Sequence, residues 1–166
     1  RSITKQWGMA TSTFLKTSAA TTVAATLGAL STDVDSMWYK KLDKPEWQPA
    51  PEVFPIAWTT LYAMIAHASG RTLSDLEESD EPRQARHFQC ALLTNLTLNA
   101  GWCYLFFQRK DTKTATVGAV ALAASSFDLA RRAWKVRKRS GLELLPYVAW
   151  TSFAAALTAE LHKRNG

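Results

Sequence analysis

A chain of 166 residues with 47% hydrophobic side chains is of single-domain size and has the composition of a folded protein. Its surplus of six positive charges invites a nucleic-acid reading, yet the bases sit between apolar windows and form no face among aromatic rings, which excludes that partner. Two cysteines without metal-ligand spacing, three scattered histidines and the absence of GxSxG, Walker or GxGxxG patterns leave no motif for a metal centre, a serine hydrolase or a nucleotide site.

Charge-free windows organise the chain. They run over 17–32, 53–70, 87–108, 114–127 and 144–159, with lengths of 16, 18, 22, 14 and 16 residues. A membrane-crossing helix needs roughly 17–25 apolar residues, and flanking bases can snorkel to its ends. Five spans are one reading; a soluble helical bundle is the other, favoured by a mean hydropathy of only −0.15. Hydropathy alone leaves both open. No strand-like alternation appears, so the expected fold class is all-α, with helices at about 9–32, 53–70, 87–108, 113–134 and 142–161.

In chain order, the first window is rich in Thr and Ser. Next comes a segment, "WYKKLDKPEWQPAPEVFPIAWTTLY" at 38–62, that gathers three of the seven Trp and four of the six Pro. Proline fixes φ and lacks an N–H, so 33–52 is expected to be a stiff, irregular loop leading into the second helix. Gly70 is placed to end that helix, and the acidic stretch 74–86, interrupted by Pro82, reads as a linker.

In the third window, Asn95, Asn99, Trp102 and Phe106 follow i, i+4, i+7, i+11 and share one stripe. A buried Asn must find a hydrogen-bond partner, either on another helix or on a ligand. Cys90 and Cys103 lie in the same apolar window and are expected to be buried thiols. The short connection "QRKDTK" makes the third and fourth helices antiparallel neighbours. The fourth carries Asp128 and ends in "RRAWKVRKR" at 131–139, which is either a solvated turn or a clamp for anionic lipid headgroups. Pro146 is expected near the start of the fifth helix, where Tyr147, Trp150 and Thr151 share one turn and Phe153 lies on the adjoining flank.

Three stretches in this order, the loop segment, "NLTLNAGWCYLFF" and "LLPYVAWTSFAAAL", resemble the motifs of the tryptophan-rich sensory protein family, also called the translocator protein or peripheral benzodiazepine receptor family. Trp38, Tyr39, Leu42, Lys44, Pro45, Trp47, Pro49, Phe54, Trp58 and Tyr62 match in one register. The resemblance covers nearly the whole chain and decides between the two readings. It implies an integral membrane bundle of five helices in a bacterial or organellar membrane, usually a homodimer, with a loop that lids a ligand pocket.

The ligands implied are porphyrins such as protoporphyrin IX, and in some members sterols or benzodiazepine-type compounds, for sensing, sequestration or transport, with no obligatory cofactor and no metal. The ligand-binding positions carried over are Tyr39 and Trp47 on the lid; Trp58 and Tyr62 on the second helix; Asn95, Asn99, Trp102 and Phe106 on the third; and Tyr147, Trp150 and Phe153 on the fifth. Some members are assigned light- and oxygen-dependent porphyrin degradation. That alternative makes Trp58 and Trp150 the catalytic candidates, as oxidisable rings. The chain departs from the family pattern at Ala50, at Pro55-Ile56-Ala57 and at Thr158, which bears on lid shape and ligand choice. A weak sterol-type pattern is present as Leu98, Tyr104 and Arg109.

Overall fold

The computed structural model describes residues 15–17, 19–22, 36–49 and 53–165, with the side chains of Phe54 and Pro55 excepted. Every regular element among them is helical. A short helix, α1 (Met37–Lys41), is followed by four long ones: α2 (Val53–Glu78), α3 (Pro82–Cys103), α4 (Thr112–Val136) and α5 (Lys138–Asn165). Residues 15–17 and 19–22 are also helical; the rest of the first expected span, and Ala50, lie outside the described residues. The all-α expectation holds.

Apolar spacing explains how the bundle closes. Along α4, Ala115, Ala119, Leu122, Ser126, Leu129 and Ala133 recur every three or four residues and are all buried. On α5 the same rhythm places Leu144, Tyr147, Thr151, Ala154, Thr158 and Leu161 inside. Alanine, serine and threonine at these seams let backbones approach closely, which is how helices associate where lipid offers no hydrophobic drive. The α4–α5 pair is accordingly the most extensive in the bundle. The outward faces are apolar: Leu93, Val117, Val120, Phe127, Leu142 and Leu145 are exposed. Such a surface suits a lipid environment. Pro82–Gln108 and Lys138–Asn165 are each long and apolar enough to cross a membrane.

Several boundaries differ from expectation. Helix α2 runs past the buried Gly70 to Glu78, and residues 74–78 of the expected linker belong to it, with Thr72, Leu73, Ser74 and Leu76 buried. It ends in a Schellman turn: the Glu81 N–H reaches Leu76 C=O at 3.0 Å, the Asp80 N–H reaches Glu77 C=O at 3.2 Å, and Asp80 takes the left-handed φ of 57°. Pro82 then opens α3, where the missing N–H costs nothing. Pro146, by contrast, lies inside α5, because that helix begins at Lys138. Cys103 is buried as expected, but Cys90 faces outward and is exposed. Helix α3 continues into a π-helical turn, Tyr104–Gln108, that turns both Phe106 and Phe107 inward.

Candidate functional site

Two features meet between α2, α3 and α5: a chain of hydrogen bonds and an array of rings. The hydrogen bonds run in one direction. Tyr62 Oη donates to Asn99 Oδ1 at 2.6 Å, Asn99 Nδ2 to Tyr147 Oη at 3.1 Å, Tyr147 Oη to Asn95 Oδ1 at 2.7 Å, and Asn95 Nδ2 to Ser126 Oγ at 3.0 Å. Ser126 Oγ ends the chain on Leu122 C=O at 2.8 Å. Four helices are thereby joined. Asn95, Asn99 and Tyr147 have no exposed surface. Their partners are one another and the adjoining helices, so of the two roles open to these amides it is the interhelical one that the hydrogen bonds display.

The rings lie beside this network. Trp58 is the hub: its centroid is 5.7 Å from Tyr62, 6.3 Å from Trp102 and 6.2 Å from Trp150, the last edge to face. From Trp150 the array continues to Phe153 at 5.5 Å and on to Trp47 of the lid at 5.6 Å. From Trp102 it continues to Phe106, stacked at 5.9 Å, and on to Tyr39 at 6.4 Å. All eleven carried-over positions therefore join one contiguous cluster. Within it Trp58, Tyr62, Trp150 and Phe153 are half-buried and Trp47 is exposed, whereas Tyr39, Trp102 and Phe106 are buried.

The lid is more ordered than a proline-rich loop predicts. Ser36 Oγ accepts the Tyr39 N–H at 3.2 Å and starts α1. Lys44 Nζ donates to Tyr39 C=O at 2.6 Å and sits 4.7 Å from the Tyr39 ring centroid, closing the same turn. Gln48 Nε2 donates to Tyr39 Oη at 2.8 Å. Burial pushes the Tyr39 phenol above its usual range, with the Gln48 bond pulling the other way, so it is a neutral hydroxyl at physiological pH. Burial likewise lowers the Lys44 ammonium. Sequence reasoning missed the far anchor: Asp43 N–H donates to Asn165 Oδ1 at 2.8 Å, and Asn165 Nδ2 donates back to Asp43 C=O at 2.9 Å.

Chemically, the cluster offers broad apolar ring faces with few polar groups among them. Two buried polar atoms in the cluster, Trp102 Nε1 and Gln48 Oε1, have no hydrogen-bond partner among the described residues. One is a donor and the other an acceptor. No cluster of metal-ligating side chains occurs among the described residues.

Residues 17–164 match the profile of the TspO/MBR family. A "Tryptophan-rich sensory protein" of Cereibacter sphaeroides is 35% identical over 92% of this chain and 90% of its own. "Protein CrtK" of Rhodobacter capsulatus is 30% identical over 77% and 78%, and the pig "Translocator protein" 31% over 72% and 70%, respectively.

Proposed function

The chain belongs to the TspO/MBR family of membrane proteins, and from that premise we propose that it is a five-span protein binding a tetrapyrrole such as protoporphyrin IX between lid and bundle, to sense, sequester or move it. The observation that carries this reading is the Trp58–Trp150 pair, edge to face at 6.2 Å, half-buried, and joined through Phe153 to Trp47 of the loop. Half-buried rings offer faces on which a macrocycle stacks, and the buried members, Trp102, Phe106 and Tyr147 among them, hold those faces in place. Trp102 Nε1 and Gln48 Oε1 supply the polar orientation.

The test is a fluorescence titration of the detergent-purified protein with protoporphyrin IX. Removing a stacking ring costs about 1–3 kcal/mol, roughly five- to 150-fold in affinity. Trp58→Ala and Trp150→Ala should each lose that much. Phe127→Ala, which removes a ring pointing away from the bundle, should bind as wild type. Equal losses in all three would mean that general stability, not ring contact, is being measured.

One observation favours a second reading. Trp58 touches both Trp102 and Trp150, so three oxidisable indoles are linked through one ring. Beside a light-excited porphyrin such an array can relay oxidising equivalents as indole radicals, with oxygen taking up the electrons that the porphyrin loses, which would make the protein a porphyrin-degrading enzyme.

A further inference from the structure

The turn between α4 and α5 lies outside the ring cluster, and three observations meet there. The first is a layering along one face of α4. Val117, Val120 and Phe127 point away from the bundle, with 67%, 56% and 61% of their surface exposed. Steps of three and four residues extend that stripe through Ala124 and Arg131 to Trp134, itself 43% exposed. Apolar side chains give way to the paired Arg131, the exposed Trp134 and then further bases, which is how a helix passes from an acyl to a headgroup environment.

The second observation is how the charges are spent. Arg137 donates to both carboxylate oxygens of Asp75 at 2.6 and 3.1 Å, which ties the turn to the end of α2. Arg131 and Arg132 share the one carboxylate of Asp128, at 2.6 and 2.8 Å. Lys135, Lys138 and Arg139 are exposed, and among the described residues none of them forms an ion pair.

The third is the tightness of the turn. A single extended residue, Arg137 with φ −149°, separates the helices. A Cβ on Gly141 would lie 2.6 Å from Cβ of Trp134, so glycine is what lets the first turn of α5 press against the last of α4. That approach sets Lys138 Nζ 6.0 Å from the Trp134 ring centroid. Lys138 is therefore held beside Trp134, with the exposed Lys135 and Arg139 adjoining those two residues in sequence.

We propose that the α4–α5 turn is a headgroup site for an anionic phospholipid, with the phosphodiester held by Lys135, Lys138 and Arg139 and the Trp134 indole seated at the acyl boundary. The position at the end of a lipid-facing stripe commits the site to a membrane lipid over a soluble phosphate. One base near an anionic surface is worth roughly fivefold, and a single headgroup charge is shared among the three and does not collect three full contributions, so the preference for an anionic over a zwitterionic lipid should be roughly tenfold at low ionic strength and fall as salt screens it.

The experiment reconstitutes the whole chain in phosphatidylcholine nanodiscs and measures, by electron spin resonance, the association of spin-labelled phosphatidylglycerol relative to spin-labelled phosphatidylcholine. Wild type should prefer phosphatidylglycerol roughly tenfold and lose the preference in high salt. The triple variant Lys135→Gln, Lys138→Gln, Arg139→Gln should fall to parity, while Lys135→Arg with Lys138→Arg keeps the charge and the preference. If the triple variant does not fold, Lys138→Gln alone should lower the preference severalfold. No preference in wild type, or an undiminished one in a folded neutralised variant, overturns the proposal. Displacement of the labelled lipid by millimolar inorganic phosphate, at constant ionic strength, overturns it in favour of a free-phosphate site.

Discussion

The Tyr147 hydroxyl donates to Asn95 Oδ1 at 2.7 Å while accepting from Asn99 Nδ2 at 3.1 Å, and all three residues are without exposed surface. One phenol thus satisfies two amides from the same face of α3. A made interhelical hydrogen bond in a membrane is worth only about 0.6 kcal/mol on average, but a buried polar group stripped of its partner costs about 1–3 kcal/mol. The second effect governs here. Tyr147→Phe keeps the ring and leaves Asn95 Oδ1 and Asn99 Nδ2 unpaired, so it should destabilise the bundle by about 1–3 kcal/mol in reversible detergent unfolding. Asn95→Leu added to Tyr147→Phe should cost less than the two single changes summed. Strict additivity would show that the bonds are not coupled.

Asp111 governs the start of α4. Its Oδ1 accepts the Thr114 N–H at 3.1 Å and its Oδ2 accepts the Thr114 hydroxyl at 2.6 Å. The Thr114 hydroxyl bond, then its backbone bond, lower the Asp111 carboxyl below its ordinary 3.8. A depressed carboxyl stabilises the fold fully above the unfolded value and loses that contribution as pH falls through the folded one. Asp111→Ala should therefore melt at a lower temperature than wild type at neutral pH, and the two should converge in acid, below pH 3.8. A gap that persists in strong acid would show that the charge is not what the cap uses.

The inward stripe of Asn95, Asn99, Trp102 and Phe106 was legible because helical period alone puts these residues on one side, and all four are buried. Trp58, Tyr62, Trp150 and Phe153 were legible from motif. What spacing could not show was partnership: that Asn99 meets Tyr62 and Tyr147, for instance, depends on how three helices cross. Helix α2 was drawn too short because Arg71 ends the charge-free window, although the chain stays helical and buries Leu73 and Leu76 on its next turns. Pro82 read as an interruption where it is a helix start. The Asn165–Asp43 pair joins residues 122 apart in sequence, and no local pattern signals it.

Binder and enzyme separate under light. Trp→Phe keeps an apolar ring but is much harder to oxidise, so Trp58→Phe and Trp150→Phe should retain most porphyrin affinity. If indole radicals relay the oxidation of the porphyrin by oxygen, these variants should lose most of the light-driven decline in porphyrin absorbance. If the protein only binds, wild type and both variants should bleach at the rate of porphyrin on an unrelated carrier, after correction for the fraction bound. Illumination of the three complexes with the absorbance followed decides between them, and identical bleaching removes Trp58 and Trp150 from any catalytic role.

The lid is clasped by the far end of the chain. Asn165 pairs with the Asp43 backbone in both directions and also donates to Leu161 C=O at 2.9 Å, which fixes its amide on α5, while Arg164 Nη1 lies 3.7 Å from the Asp43 carboxylate. The ion pair is exposed and adds little. Each hydrogen bond contributes about 0.5–1.5 kcal/mol, and both bonds to Asp43 are exposed and so lie at the low end, so loss of the amide should open the lid by roughly 1 kcal/mol, about fivefold in population. Asn165→Ala should raise amide exchange about fivefold in 37–49 and leave α4 unchanged. Arg164→Gln should have little effect on either. If porphyrin lies under the lid, Asn165→Ala should also speed its release by a similar factor; faster exchange without faster release would place the ligand elsewhere, and unchanged exchange would show that Phe106, Phe107 and Phe153 hold the lid without the clasp.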